Sequence, residues 1–255
     1  MDYLLICSVA LVASGLTLFS GFGLGTLLLP AFALFFPIPV AIALTAIVHL
    51  ANNLFKLALL GRHAHAGTVL RFGIPAVIAA LAGALLLRQL GALAPLARYE
   101  LLGSVREITP EKLCIAALLA LFAVLETLPA FTHARIPPRW IPLGGALSGF
   151  FGGLSGQQGA LRSAFLVRAG LNKEAFLGTG VVLACLIDAT RIPLYSGHIS
   201  AAGARPGLLA AAVLSAWIGA FFGARLFRKA TYASVQKIVA ALLIVTAVLL
   251  GSGII

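Results

Sequence analysis

Gly21-Phe22-Gly23-Leu24-Gly25 and Gly152-Gly153-Leu154-Ser155-Gly156-Gln157-Gln158-Gly159 are two glycine-rich interruptions in an otherwise apolar chain. They occupy matching places in a duplication. Residues 15–83 and 149–217 align without gaps at an offset of 134: Gly15 falls on Gly149, Gly25 on Gly159, Leu27 on Leu161, Ala41 on Ala175, Thr45 on Thr179, Val48 on Val182 and Gly73 on Gly207. Two related bundles, each opening with a broken helix, form the pattern of a secondary transporter whose site lies near the bilayer midplane.

The composition agrees with a membrane location. Hydrophobic residues make up 61% of the 255, and charged residues only 10%, against about 25% in soluble domains. Mean hydropathy is +1.09. Lipid offers the backbone no hydrogen-bond partners, so the spans are expected to be helices, and the apolar stretches lack the alternation of a barrel. The net charge of +11 would suggest nucleic acid in a soluble protein. Here the basic residues fall in short loops, as the positive-inside rule expects, with no nucleic-acid motif among them. Cys7, Cys114 and Cys185 are isolated in apolar segments without metal-ligand spacing. No metal or cofactor is expected. Asp2 and the lack of a basic stretch in the first twenty residues argue against a cleaved signal peptide.

Apolar segments run over 3–19, 26–36, 38–60, 69–88, 112–131, 139–151, 160–170, 174–196, 206–227 and 235–254. The short ones flank the glycine breaks, and each pair joins into one interrupted helix or hairpin. The expected fold is an all-α polytopic membrane protein with about eight crossings built from two internal repeats. Its parts are a first transmembrane repeat (1–90), a polar loop (91–111), a linking helix (112–138), a second repeat (139–230) and a C-terminal helix (231–255). Pro37 and Pro39 close one helix and open the next, and Asn172 is placed to N-cap the helix that follows it. If the basic loops at 88–112 and 225–237 both face the cytoplasm, so does Lys173, and the termini lie outside. His133, Arg135 and Arg139 oppose that orientation. Whether the repeats run parallel or inverted turns on how often the broken segments cross, which these residues leave open.

Polar side chains at lipid depth are expensive and mark function. His49, Asn52, Asn53 and Lys56 fall at i, i+3, i+4 and i+7, one face of a helix. Asp188 and Arg191 are three apart on another, and the offset sends Lys56 to Thr190, beside Arg191. Each copy thus puts a cation near the end of its second element. Gly21, Gly23, Gly25, Gly153, Gly156 and Gly159 would expose backbone N–H groups at half-helix starts, which attract anions. Gln157, Gln158 and Arg162 add donors beside them. The substrate-binding set is therefore Asn52, Asn53, Lys56, Gln157, Gln158, Arg162 and Arg191. Each has a plainer reading: snorkelling for Lys56, an ion pair for Arg191, interhelical bonding for the asparagines and close packing for the glycines. His49, Asp188 and Glu126 are candidates for proton coupling. Gly153-Leu154-Ser155-Gly156 also matches the G-x-S-G of intramembrane serine proteases, which need a nearby histidine to activate the serine. The only late one, His198, falls in a loop. No enzyme activity is expected.

Several of these residues carry a resemblance. Gly21 to Pro30 (GFGLGTLLLP), Pro39-Val40-Ala41 followed by Thr45, and Lys173-Glu174-Ala175 followed by Gly178-Thr179 resemble the TauE/SafE family of membrane transporters, also described as sulfite exporters. The resemblance covers nearly the whole chain. It implies a bacterial inner-membrane protein that moves small sulfur-containing or organic anions such as sulfite or sulfonates. The second copy departs from the family pattern: Gly156-Gln157-Gln158-Gly159 replaces a run of glycines, and Ser163-Ala164 replaces a proline. The expected partners are a small anion and the bilayer, with a homodimer as one possible assembly and no nucleic acid. Proton motive force is the expected driver, since no Walker-type nucleotide motif occurs. A passive anion channel is the alternative.

Overall fold

A computed structural model describes residues 1–20, 24–101, 103–127, 137–197, 205–226 and 232–255, with side chains described except at 17–20, 126, 223–226 and 232–236. Ten α-helices carry the described chain: α1 (Asp2–Ser20), α2 (Leu24–Ala33), α3 (Ile38–Leu60), α4 (Ala66–Gly91), α5 (Pro110–Thr127), α6 (Ile141–Ser155), α7 (Gly159–Leu166), α8 (Lys173–Arg191), α9 (Pro206–Leu226) and α10 (Tyr232–Gly251). The bounds follow local chemistry. Pro37 precedes α3, with proline in its first turn. Asn172 accepts the Ala175 N–H at 2.8 Å to cap α8. Three stretches among the described residues are long and apolar enough to cross a bilayer: Ile38–His63, Ala66–Gly91 and Lys173–Tyr195, of 26, 26 and 23 residues. The other apolar helices are shorter.

The polar loop at 91–111 holds a feature that the sequence did not announce. It contains an antiparallel hairpin, β1 (Ala97–Leu101) and β2 (Ser104–Ile108), with Arg98 opposite Glu107. That pair is an exposed salt bridge of 2.8 Å. The hairpin also holds the C-terminus: Tyr99 Oη donates to the Ser252 carbonyl, and Arg106 donates to the Ile254 carbonyl at 2.7 Å.

Contacts at the two ends of the bundle fix helix directions. At one end Arg205 pairs with Asp2 and lies over the Phe36 ring, so the starts of α1, α3 and α9 meet. At the other, a methyl group on Gly178 would strike the Leu60 carbonyl and the backbone of residues 63 and 64. The end of α3 and the starts of α4 and α8 meet there. Helices α3 and α8 are therefore antiparallel, with His49 against Asp188. The α10 terminus beside β1 and β2 makes α10 antiparallel to α5, on which it packs. These directions correct the assumption that the loops at 88–112 and 225–237 share a face: the β-hairpin sits at the end of α10, one helix length from its start at Tyr232.

The interrupted elements fold back on themselves. The start of α1 and the residues after α2 lie at the same end, joined through Arg205. In the second element Gly144 abuts Phe165 and Gly152 abuts Gln158, so α7 returns along α6. The two hairpins enter from opposite ends. Each leans on a distant helix, α1 on α9 and α6 on α4. The α6–α4 seam is backbone against backbone: methyl groups at Gly145, Gly149 and Gly153 would lie 2.1, 2.0 and 2.1 Å from the carbonyl oxygens of Phe72, Ala76 and Ala80. Small residues permit that approach between helices in lipid. Gly153 therefore lies within α6 and serves packing; the second break is Gly156 to Gln158.

Candidate functional site

The hairpin tips meet in the interior. A methyl group on Gly25, at the start of α2, would be 3.4 Å from the Gly156 carbonyl oxygen and 3.6 Å from the Thr45 methyl. Gly156 has φ +82°, a left-handed conformation that closes α6 and turns the chain toward α7. Gly153, three residues before this turn, rests on Ala80 near the middle of the 26-residue α4. The tips thus lie at mid-depth of a helix long enough to span a membrane.

Polar side chains gather around this junction. His49, Asn52, Asn53, Lys56, Gln157, Gln158, Arg162, Asp188 and Arg191 are each 8% exposed or less. Such groups survive burial only when hydrogen-bonded. Asp188 is the hub. Its Oδ2 takes a hydrogen bond from His49 Nδ1 at 2.5 Å. Its Oδ1 takes bonds from Gln158 Nε2 at 2.9 Å, Arg191 Nε at 3.0 Å and Arg191 Nη2 at 2.8 Å. Gln158 Oε1 accepts from Arg162 Nη1 at 3.0 Å. One carboxylate therefore ties α3, the second tip and α8 together. Asn53 donates to the His49 carbonyl at 2.8 Å, and Asn52 Oδ1 accepts from Ser14 of α1 at 3.0 Å.

Four buried donor groups at this junction have no hydrogen-bond partner among the described residues: Thr45 Oγ1, Asn52 Nδ2, Gln157 Nε2 and Arg191 Nη1. They come from α3, the second tip and α8. An unmet buried donor costs roughly 1–3 kcal/mol, and the four stand at one junction. Arg191 Nη1 lies 3.2 Å from where a Gly156 methyl would stand, beside the tip. Lys56 adds charge from α3.

The sequence-derived set is thus brought together. Gly25, Gly156 and Gly159 stand at the tips, whereas Gly21, Gly23 and the Glu126 side chain fall outside the described residues. Lys56 is buried and does not snorkel. Thr45 and Tyr195, which the sequence did not single out as candidates, stand beside this cluster. Thr45 continues the His49–Asn52–Lys56 face one turn back. Tyr195, one turn past Arg191, has its ring 6.0 Å from that guanidinium and donates to the Gly153 carbonyl. Ser155, the serine of the protease-like motif, donates to the Phe151 carbonyl at 3.0 Å. A Gly156→Ala change strains the left-handed turn by about 1 kcal/mol and crowds Arg191. We expect near-normal folding with ligand affinity reduced several-fold, read by titration calorimetry.

The family model described as Sulfite exporter TauE/SafE matches residues 6–250. No curated protein matches the chain.

Proposed function

The chain belongs to the TauE/SafE sulfite exporter family, membrane transporters of sulfur anions, and from that membership we propose a secondary transporter of a small sulfur or organic oxyanion that works by alternating access. The observation that carries the proposal is the set of four buried donors without a partner among the described residues, where α2 meets the end of α6. Arg191 supplies a guanidinium edge, Asn52 and Gln157 supply amide hydrogens, Thr45 supplies a hydroxyl, and Lys56 and Arg162 supply charge. Glycine-rich tips supply the joint that opens to one side at a time.

The two copies act as inverted repeats. Exchanging α1 with α6, α2 with α7, α3 with α8, α4 with α9 and α5 with α10 turns the α1–α9 contact into α6–α4 and the α3–α9 contact into α8–α4, and all four occur. The self-paired α3–α8 and α5–α10 run antiparallel, as a twofold axis in the membrane plane requires. Protons are the coupling ion, with the His49–Asp188 pair as carrier. A proton on Asp188 would weaken its hold on Arg191 and Gln158, linking proton and anion occupancy.

Charge supports an inner-membrane orientation with both termini outside. Among the residues whose side chains are described, Arg62, Arg71, Arg139, Arg168, Lys173 and Lys237 lie toward the α3–α8 end with Glu174 as their only acid. At the terminal end five Lys/Arg face Asp2, Glu100, Glu107 and Glu111. The first end is the cytoplasmic one by the positive-inside rule. A cysteine at position 104, in the β-hairpin, should react with an impermeant maleimide in intact cells, and one at position 173 only after permeabilisation. The reverse pattern sinks the orientation.

The test of function is uptake into proteoliposomes. An imposed pH gradient should drive uphill accumulation of sulfite or a sulfonate, which a channel cannot do. Arg191→Ala should abolish saturable uptake while the protein still purifies as a single species. Unchanged transport removes Arg191 from the site.

A further inference from the structure

The hydrogen-bond network at the junction has used its acceptors and left donors over. Asp188 offers about four lone-pair sites, and four bonds from His49, Gln158 and Arg191 converge on it. Gln158 Oε1 receives Arg162 at 3.0 Å, and Asn52 Oδ1 receives the Ser14 hydroxyl at 3.0 Å. Backbone carbonyls of the second tip are engaged as well. That of Gly153 takes the Tyr195 hydroxyl, that of Gly156 takes the Gln158 N–H at 3.1 Å, and that of Gln158 takes the Ser148 hydroxyl at 2.9 Å. Against these stand Asn52 Nδ2, Gln157 Nε2 and Arg191 Nη1, each without a partner among the described residues. Their side chains are 3% exposed or less. All three nitrogens can only donate. Of the four unpartnered atoms, Thr45 Oγ1 alone can also accept.

Resting on the anion-site reading above, we propose that the site selects oxyanions that carry no proton and rejects those of equal charge and similar size that carry an O–H. A fully deprotonated oxyanion presents lone pairs alone, so each of its oxygens can meet an N–H. An O–H turned into the junction meets another donor head on. It also takes acceptor capacity from the oxygen that bears it. A buried donor then stays unmet, and a site built on buried polar groups rejects a near-isostere in this way. Thr45 is one acceptor against three fixed donors, so it softens the rejection without cancelling it.

The experiment is titration calorimetry on the purified full-length protein at fixed ionic strength. Sulfate, monofluorophosphate and hydrogen phosphate form the first series, at a pH above the second pKa of phosphate. All three are then tetrahedral dianions, and only hydrogen phosphate carries a proton. Methanesulfonate and methylphosphonate form the second, at a pH below the second pKa of methylphosphonate. Both are then monoanions, and only the phosphonate bears an O–H. Charge is equal within each series, so the buried cations favour no member. Sulfate and monofluorophosphate should bind within about threefold of each other and hydrogen phosphate at least about tenfold more weakly, a difference of about 1.4 kcal/mol. Methanesulfonate should outbind methylphosphonate by a similar factor. Gln157→Glu and, independently, Asn52→Asp put an acceptor where the parent has a donor. Each should narrow the sulfate-to-hydrogen-phosphate ratio to about threefold or less, whatever it does to the affinity of both. Equal binding of hydrogen phosphate and sulfate by the parent protein overturns the selection even if transport persists. So does monofluorophosphate as weak as hydrogen phosphate, because phosphorus and not the proton is then rejected. An unchanged ratio in both variants overturns it too. Binding of none of the five overturns the selection alone if uphill sulfite uptake is retained, and the transporter reading with it if uptake is also absent.

Discussion

Asp188→Asn should leave a protein that inserts in the membrane yet transports nothing, with at least a hundredfold loss of uptake. The substitution keeps the side chain's shape and removes its charge. Four hydrogen bonds converge on this carboxylate from His49, Gln158 and Arg191. An asparagine presents one acceptor oxygen and an NH2 group, which faces either the imidazole or the guanidinium as donor against donor. Arg191 then stands buried without its counter-charge, beside Lys56 and Arg162. Removing one partner of a buried pair costs about 3–5 kcal/mol. For a chain of this size that is a fall in melting temperature on the order of 10 °C. Thermal unfolding of the detergent-solubilised protein and uptake per folded molecule are the two measurements. Full uptake with an unchanged melting temperature would mean that the hub holds nothing together. Asp188→Glu, which keeps the charge but displaces it by a methylene, should recover stability more than transport.

The second large effect is remote from the polar cluster. Gly149→Ala adds one methyl group, and that methyl would sit 2.0 Å from the Ala76 carbonyl oxygen. Carbon and oxygen do not approach so closely, so α6 must move off α4 by more than an ångström along the seam that Gly145 and Gly153 share. Overpacking costs about 1–3 kcal/mol where neighbours can adjust. Here the neighbour is helix backbone, which adjusts least. The expected result is loss of monodisperse protein, or a folded remainder whose second tip no longer meets Gly25. Gly197→Ala is the control, because nothing lies within 4 Å of its added methyl. Fluorescence-detected size exclusion after identical expression compares them, and equal profiles would refute the packing role of the seam.

The helices were written plainly in hydropathy. The stretches 38–60 and 206–227 become α3 and α9 nearly to the residue, because glycine, proline and charged residues punctuate them. The buried polar cluster was also readable, since a histidine, two asparagines and a lysine on one helical face have few reasons to exist in lipid. The path of the broken elements was not. Hydropathy reports that a segment is apolar but not which way it runs, and an interrupted helix looks the same crossing or turning back. The decisive contacts, Arg205 with Asp2 and Phe36, join residues far apart in the chain. The β-hairpin was missed because Arg98, Glu100, Arg106 and Glu107 read as a solvated loop. Thr45 was missed because a threonine in a helix can satisfy itself on its own backbone.

The meeting of Gly25 with Gly156 has an electrical consequence. Each tip reaches only half-way, so the barrier at this spot consists of two stoppers butted end to end, one seated from each side. On the alternating-access proposal, withdrawing either would deepen a vestibule on its own side while the other still sealed the floor. On that proposal, such a protein would release its cargo without ever short-circuiting the membrane voltage.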